Sequence, residues 1–413
     1  MARIILFFLL LSFIWVPSHI KAEELSAEET PFPLLPGLEG AVEFWKLVFT
    51  RYGAAELIFH DPLDPPKIYK VVVVGEGNPA TQLVEEERAR ILEEAGFAPD
   101  EKRVRVQRGV KERFLSGLKR SGRYIGQIQR IFREEGLPAD LAYLPLVESS
   151  FDIHARSRVG ALGMWQFMPT TGKQFLRVSR TVDERRDPVE STRAAARFLK
   201  RNHEILGSWP LAITAYNHGR EGILRATNEV GSKDLMEIIQ HYQGPAFGFA
   251  SKSFYAEFLA AVDVAKRSEE YFPDLELHPA IHFEEFEVKR SVSIASLLKP
   301  TEIERKQFLE WNPALHPQIK DIPSGYRVKF PADKHHIFLT AYRKLVKAIL
   351  PAPAVASVKE SQISSARHRV ARGETLAEIA KKYNVSVREI QQANSLGNSH
   401  LITAGKYLKI PNR

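Results

Sequence analysis

No cysteine occurs in the 413 residues of this chain. Disulfides, thiolate metal sites and a lipid attached through cysteine are therefore excluded, and an exported form would have to stand on its core alone. The N-terminal apolar run, Ile4 to Val16, is thirteen residues long, too short to span a bilayer comfortably. His335-His336 and the scattered acids lack metal-ligand spacing and read as solvated surface, so no metal and no cofactor is expected. Lysine and arginine run through the whole chain without an aromatic-basic recognition motif, which argues against nucleic acid as a partner.

What is present fits a soluble globular protein, with 44% hydrophobic and 26% charged residues. The length implies two or three domains. A net charge of +8 favours an anionic partner, and charge alone leaves nucleic acid, membrane surface and wall polymer open. Met1-Ala2-Arg3 gives a cationic start, the apolar run follows, and Ile20-Lys21-Ala22 before Glu23-Glu24 places a small residue at a cleavage point. That is a signal-peptide pattern over residues 1–22, and it predicts export to the periplasm or cell envelope. Membrane contact is expected only if the segment is retained.

Residues 23–106 read as an acidic, proline-rich tether followed by a small unit. In that unit Phe44, Trp45, Leu47, Val48 and Phe49 form a helical stripe and Ile68 to Val74 looks like a buried strand. No chemistry can be assigned there. From 107 to 270 the texture is helical: Tyr124, Ile125, Ile128, Ile131 and Phe132 recur at helical spacing, and Gly136 stops that helix. Pro138 suits a new first turn, and Asp187-Pro188-Val189-Glu190 reads as a cap with a capping box. The last part repeats itself at an offset of 82: Ser293, Ile294, Leu297, Leu298, Ile303, Phe308 and Asn312 align with Thr375, Leu376, Ile379, Ala380, Val385, Ile390 and Asn394. Each copy, 281–333 and 367–413, is expected to be a strand, two short helices and a strand. Residues 334–366 pass from a helical tail into a Pro- and Ser-rich linker. The fold class expected is α+β and multidomain, an all-α domain followed by two small βααβ modules.

Three motifs carry the chemistry. Glu148-Ser149 precedes Gly163-Met164-Trp165-Gln166-Phe167 by fifteen residues and Ala215-Tyr216-Asn217 by sixty-seven. Cleaving a glycosidic bond requires a proton delivered to a poor leaving oxygen, and a carboxyl group delivers it near neutral pH only when burial raises its pKa. Leu144, Leu146, Val147 and Phe151 surround Glu148 in sequence with apolar bulk. Gly160 to Gly163 is a small-residue stretch where backbone can approach a ligand, and the aromatic and amide groups after it suit a sugar. A two-carboxylate hydrolase would want a second acid. Asp152 is the nearest, and just past the helix end it reads as a turn residue.

Taken together these motifs, over about Lys111 to Lys266, resemble the lytic transglycosylases of the soluble type and their goose-type lysozyme cousins, which have a lysozyme-like fold. The resemblance implies Glu148 as lone acid and then base in cleaving the bond between N-acetylmuramic acid and N-acetylglucosamine, with a 1,6-anhydro ring as product. It implies substrate contacts for Ser149, Met164, Gln166, Phe167, Tyr216 and Asn217. The second repeat, with Val370-Ala371-Arg372-Gly373-Glu374-Thr375-Leu376 and Asn394, resembles LysM, which implies glycan binding through Gly373, Glu374, Thr375, Leu376 and Asn394. The first copy departs from it, with Ser291-Val292 where Gly373-Glu374 stand. The implied partner is peptidoglycan and the implied state a monomer. A lysozyme-like hydrolase and a catalytically inactive wall-binding scaffold are the alternatives.

Overall fold

The structure, a computed structural model, describes residues 30–75, 77, 81–349, 366–397 and 399–411. The expected signal segment and most of the Pro/Ser linker lie outside the described residues. The chain divides into two compact units, Met1–Tyr342 and Arg343–Arg413.

The apolar stripe expected near the N-terminus forms helix α1 (Glu39–Thr50), which buries Val42, Phe44, Trp45, Val48 and Phe49. After it β1 (Glu56–His60) runs between β2 (Ile68–Val73) and β3 (Arg105–Arg108), antiparallel to both. The strand expected to be buried, β2, is instead an edge strand, with Val73 74% exposed. A run of β-branched residues favours a strand, but its place in the sheet decides how deeply it sits. Helix α2 (Thr81–Glu94) lays Ile91 and Leu92 against Leu57, Phe59 and Val104.

No core boundary falls near Val106, because α1 packs on a long helix of the following domain and one hydrophobic core runs from Phe32 to Phe272. The supposed tether joins it: Phe32 sits edge-on to Trp209 and Phe258, and the Tyr255 hydroxyl donates to the Pro33 carbonyl at 2.9 Å.

Ten helices follow: α3 (Lys111–Ser121), α4 (Ile125–Glu134), α5 (Leu144–Glu148), α6 (Pro169–Gly172), α7 (Pro188–Leu206), α8 (Trp209–His218), α9 (Arg220–Val230), α10 (Leu235–His241), α11 (Phe249–Lys266) and α12 (Ser268–Tyr271). This is the all-α domain expected. Asp187 caps α7 by accepting from Val189 and Glu190 backbone N–H groups. Glu190 does not close a capping box; its carboxylate pairs with Arg193 at 2.7 Å instead.

The first repeat contains β4 (Phe283–Glu287), β5 (Val292–Ser293), α13 (Ile294–Leu298), α14 (Arg305–Trp311), β6 (Asp321–Ile322) and β7 (Arg327–Pro331), with β4 antiparallel to β7. It is packed on the helical domain. Asp183 donates its N–H to Ala314 O, His316 donates to Thr181 O, and Lys329 reaches Asp187 at 2.8 Å. Helix α15 (His335–Ile349) follows, its Phe338 stacked on Phe308 and Phe330.

The second repeat has β8 (Ala366–Arg369), α16 (Leu376–Tyr383), α17 (Val387–Ala393) and β9 (Tyr407–Ile410), the expected strand, two helices and strand. Val370, Leu376, Ile379, Ala380, Ile390, Leu408 and Ile410 form its core. Thr375 and Glu378 form a capping box, and Ser386–Glu389 makes a second. Both repeats share one clip: Asn312 bridges the N–H and carbonyl of Lys329, and Asn394 does the same for Lys409.

Candidate active site

Glu148 is the last residue of α5, a helix of only five residues that starts at Leu144 with Pro145 in its first turn. Leu144, Pro145 and Leu146 are buried, which anchors the turn and leaves the half-buried Glu148 at its rim. The chain then bends sharply. Ser150 and Phe151 both take left-handed backbone conformations, with φ of 54° and 58°. For a buried phenylalanine this costs about 1–3 kcal/mol, sustained only because packing over-determines it. Arg120 of α3 holds the bend by donating twice to Ser150 O.

The Gly163 strip lies against this bend as scaffold. Ser149 Oγ donates to Met164 O at 2.8 Å, tying acid to strip. Ser149, Met164 and Phe167 are all nearly fully buried, so their side chains pack in the core and offer little open surface for the substrate contacts the resemblance implies. Trp165 is also core, its indole N–H donating to Thr192 Oγ1 at 2.9 Å, and offers no open sugar platform. Gly163 has φ of 78°, and a Cβ there would stand 1.8 Å from Arg185 O. Its close approach is thus to Arg185 backbone, where the small residue had suggested a ligand. Gln166 (φ 48°) donates to Gly163 O at 2.7 Å and Ala155 O at 3.2 Å. Arg185, which sequence reasoning missed, donates to Gly160 O and Phe167 O and pairs with Asp183, fastening both ends of the strip.

From α8, the half-buried Tyr216 donates its hydroxyl to Trp165 O at 2.7 Å. Burial first and the Glu148 charge second push its pKa well up, so it stays a neutral donor beside the acid. Asn217 is exposed and accepts from Ser251 Oγ. Asp152 accepts from His154 N–H at 2.8 Å, the turn role expected of it.

Desolvation, and secondarily the charge of Glu257, pushes the Glu148 carboxyl up to about 8. The residue as a whole is half-buried, while its carboxyl is desolvated. Glu257 is the residue the sequence reading overlooked. It lies on α11, which packs on α5, and burial pushes its carboxyl to about 8 as well, with Arg105 of β3 pulling the other way. One signal was legible: Glu257 is the sole charged residue between Lys252 and Asp263. Among the described residues neither Glu148 nor Glu257 has a hydrogen-bond or ion-pair partner, and no cluster of acids and histidines suits a metal.

In the second repeat Leu376 is core, and Asn394 spends its amide on the Lys409 backbone and Ile390 O. Glu374 accepts from Ala371 N–H at 2.8 Å and contacts His368 at 2.7 Å, which with the φ of 85° at Gly373 shapes the loop before α16. Thr375 is occupied as a helix cap.

A short helix ending in a desolvated acid, a strained bend, a buttressing strip and a tyrosine beside the strip thus come together in an all-helical domain. Residues 128–239 match the transglycosylase SLT domain family and 368–411 match the LysM domain family. The chain thus carries an SLT domain and a C-terminal LysM domain. It is 27% identical over 320 residues to membrane-bound lytic murein transglycosylase D of Escherichia coli, covering 73% of this chain and 68% of that one. It is 35% identical over 127 residues to membrane-bound lytic murein transglycosylase F 2 of Alkalilimnicola ehrlichii, covering 29% and 26%. Among solved structures the 70 kDa soluble lytic transglycosylase of Escherichia coli matches 37% of this chain at 19% identity with a TM-score of 0.30, and the chain spans a quarter of its length.

Proposed function

We propose that this chain is an exported peptidoglycan lytic transglycosylase that cleaves the β-1,4 bond between N-acetylmuramic acid and N-acetylglucosamine, with Glu148 as sole acid and base. The observation that carries this reading is the half-buried Glu148 carboxyl at the end of α5, raised to about 8 and without a hydrogen-bond or ion-pair partner among the described residues. It therefore carries a proton at neutral pH. That proton passes to the glycosidic oxygen as the C1–O4 bond breaks, and the acetamido group of the muramyl residue can assist at C1. The Glu148 carboxylate then takes the proton of the same residue's 6-hydroxyl, and O6 closes on C1. Protons balance and no water is consumed.

Glu257 bears on the hydrolytic alternative. A double-displacement or inverting hydrolase uses its second carboxyl ionised, as nucleophile or base. With its own carboxyl pushed to about 8, Glu257 is mostly protonated at neutral pH and suits neither role. Product mass tests the whole reading: digestion of sacculi is expected to release anhydromuropeptides lighter by one water than hydrolytic products, and reducing muropeptides alone would refute it.

The LysM domain supplies the hold on glycan in this proposal, with Gly373, Glu374 and Thr375 shaping the loop ahead of α16. The first repeat spends residues 314–316 and Lys329 on docking to the helical domain, which suits a structural part. Deleting Arg367 to Arg413 is expected to weaken sacculus binding by roughly tenfold or more, since a tethered second site raises effective concentration, while sparing cleavage of soluble fragments. Unaltered pelleting with sacculi would refute that role.

A further inference from the structure

Where the first repeat meets the helical domain, the chain leaves an open space that the reaction does not use. Residues 277–283 run back along the turn from α3 to α4: His278 donates its N–H to Lys119 O at 2.9 Å, and Ile281 donates to Arg123 O at 3.1 Å. Gly122 permits this approach, since a Cβ there would stand 2.4 Å from His278 O. Two adjoining cavities result, of about 530 and 340 Å³, both lined by Arg123, Ile281 and Phe283. Glu148, Gln166, Tyr216 and Asn217 line neither.

The smaller cavity follows one face of α4. Gly126, Arg130 and Arg133 line it, and their spacing of four and then three residues puts them on the same side of the helix. A Cβ on Gly126 would meet nothing within 4 Å, so the helix presents bare backbone to open space there. Arg123, Arg130 and Arg133 are exposed, and none is ion-paired among the described residues.

The larger cavity adds an apolar wall. Trp311, at the end of α14, is half-buried with its ring edge-on to Phe338, and Tyr124 and Pro188 stand across from the repeat on the helical domain. Glu310 is the one acid among its lining residues. Guanidinium groups fit carboxylates in pairs of hydrogen bonds, and aromatic and proline surface fits methyl groups. A short peptide that alternates small apolar side chains with free carboxylates uses both halves of the cleft. A phosphate chain would use only the cations, and a neutral glycan would leave them idle.

We propose that the cleft between α4 and the first repeat is a second binding site, for the acidic peptide stems of the wall polymer, with Arg123, Arg130 and Arg133 taking stem carboxylates and the Trp311 wall taking the apolar part. The proposal rests on the peptidoglycan reading above. Glu310 then suits the free ammonium that such stems also carry. A stem held here tethers the strand whose glycan the helical domain cleaves, so the site raises the local concentration of substrate without touching the reacting bond.

The test titrates sugar-free stem peptide, released from sacculi by an amidase, into the full chain, beside the same peptide with its carboxyls amidated. Wild type is expected to bind the free peptide, more weakly as salt rises. Arg130→Gln together with Arg133→Gln is expected to weaken that binding by about tenfold, the loss of a charge-assisted hydrogen bond. Gly126→Phe is expected to weaken it as well by filling the space while leaving every charge in place. In both variants the ratio of kcat/KM for stem-bearing over stem-free glycan strands should fall with the binding. Equal binding of free and amidated peptide overturns the proposal, as does a wild type that binds neither or an arginine variant that binds as wild type does. Should Gly126→Phe fail to fold by circular dichroism, the arginine variant, changed only at exposed positions, decides. Undiminished cleavage by Glu148→Gln sinks the reading beneath; an inactive Glu148→Gln with stem binding equal in wild type and the arginine variant sinks only this proposal.

Discussion

Glu148→Gln is expected to fold and to release soluble products from sacculi on the order of 1,000-fold more slowly than wild type, or less. General acid catalysis by one positioned group contributes about 10²–10⁴-fold, and in the proposed reaction the same group also serves as base. The amide keeps the size of the side chain and neither gives nor takes the proton. The same substitution should stabilise the chain. Between the ordinary carboxyl value and about 8 the folded chain holds on Glu148 a proton that the unfolded chain releases, so stability falls as pH rises through that interval. Removing the group is expected to be neutral near pH 4 and to add about 1–2 kcal/mol by pH 8, with the partial exposure of Glu148 limiting the gain. Activity assays together with thermal melts at the two pH values check both halves; undiminished digestion, or a variant less stable at pH 8 than wild type, would contradict them.

Lys329→Ala is expected to cost about 3–5 kcal/mol, the range for breaking a buried pair by removing one partner. Lys329 is 1% exposed and its ammonium lies 2.8 Å from Asp187 and 3.7 Å from both Glu190 and Glu285. Burial alone would lower its pKa, yet the three carboxylates outweigh that and raise it. Sign follows from this: the ammonium's contribution is complete below the ordinary lysine value and is lost only as pH rises past the higher folded one, so it is intact throughout the physiological range. Removing it strands Asp187, wholly buried, which still accepts from the first N–H groups of α7. Two elements fail together, since the lysine comes from the first repeat and the aspartate from the helical domain. A denaturant melt should show the loss, and Asp187→Asn added to Lys329→Ala should recover part of it by removing the stranded charge. A melt unchanged by Lys329→Ala would mean that the repeat docks without this ion pair.

Much of the architecture was legible along the chain because it is local. Periodicity marked α4, Asp187 announced its cap, and two copies of one apolar pattern announced two related units. Glu148 was legible too, since three motifs in order and spacing pointed to it. The misreadings have one cause. The small residues before the strip suggest room for a ligand, yet Gly163 makes room for Arg185; the β-branched run Ile68 to Val74 suggests a buried strand, yet it lies at an edge. Each depends on what a distant segment places alongside, which no local pattern records.

The sequence by itself determined the helices and repeats and the Asp187 cap, because side-chain periodicity and turn chemistry act within a few residues, and its spaced motifs carried the resemblance to the lytic transglycosylases. Only the tertiary structure decided that the N-terminal region joins the core of the helical domain, that the first repeat is pinned through a buried lysine, and that α5, which ends in Glu148, packs on α11, which carries Glu257. Desolvation and Coulomb interaction depend on distance in space, and α5, α11 and β3 meet across more than a hundred residues of chain.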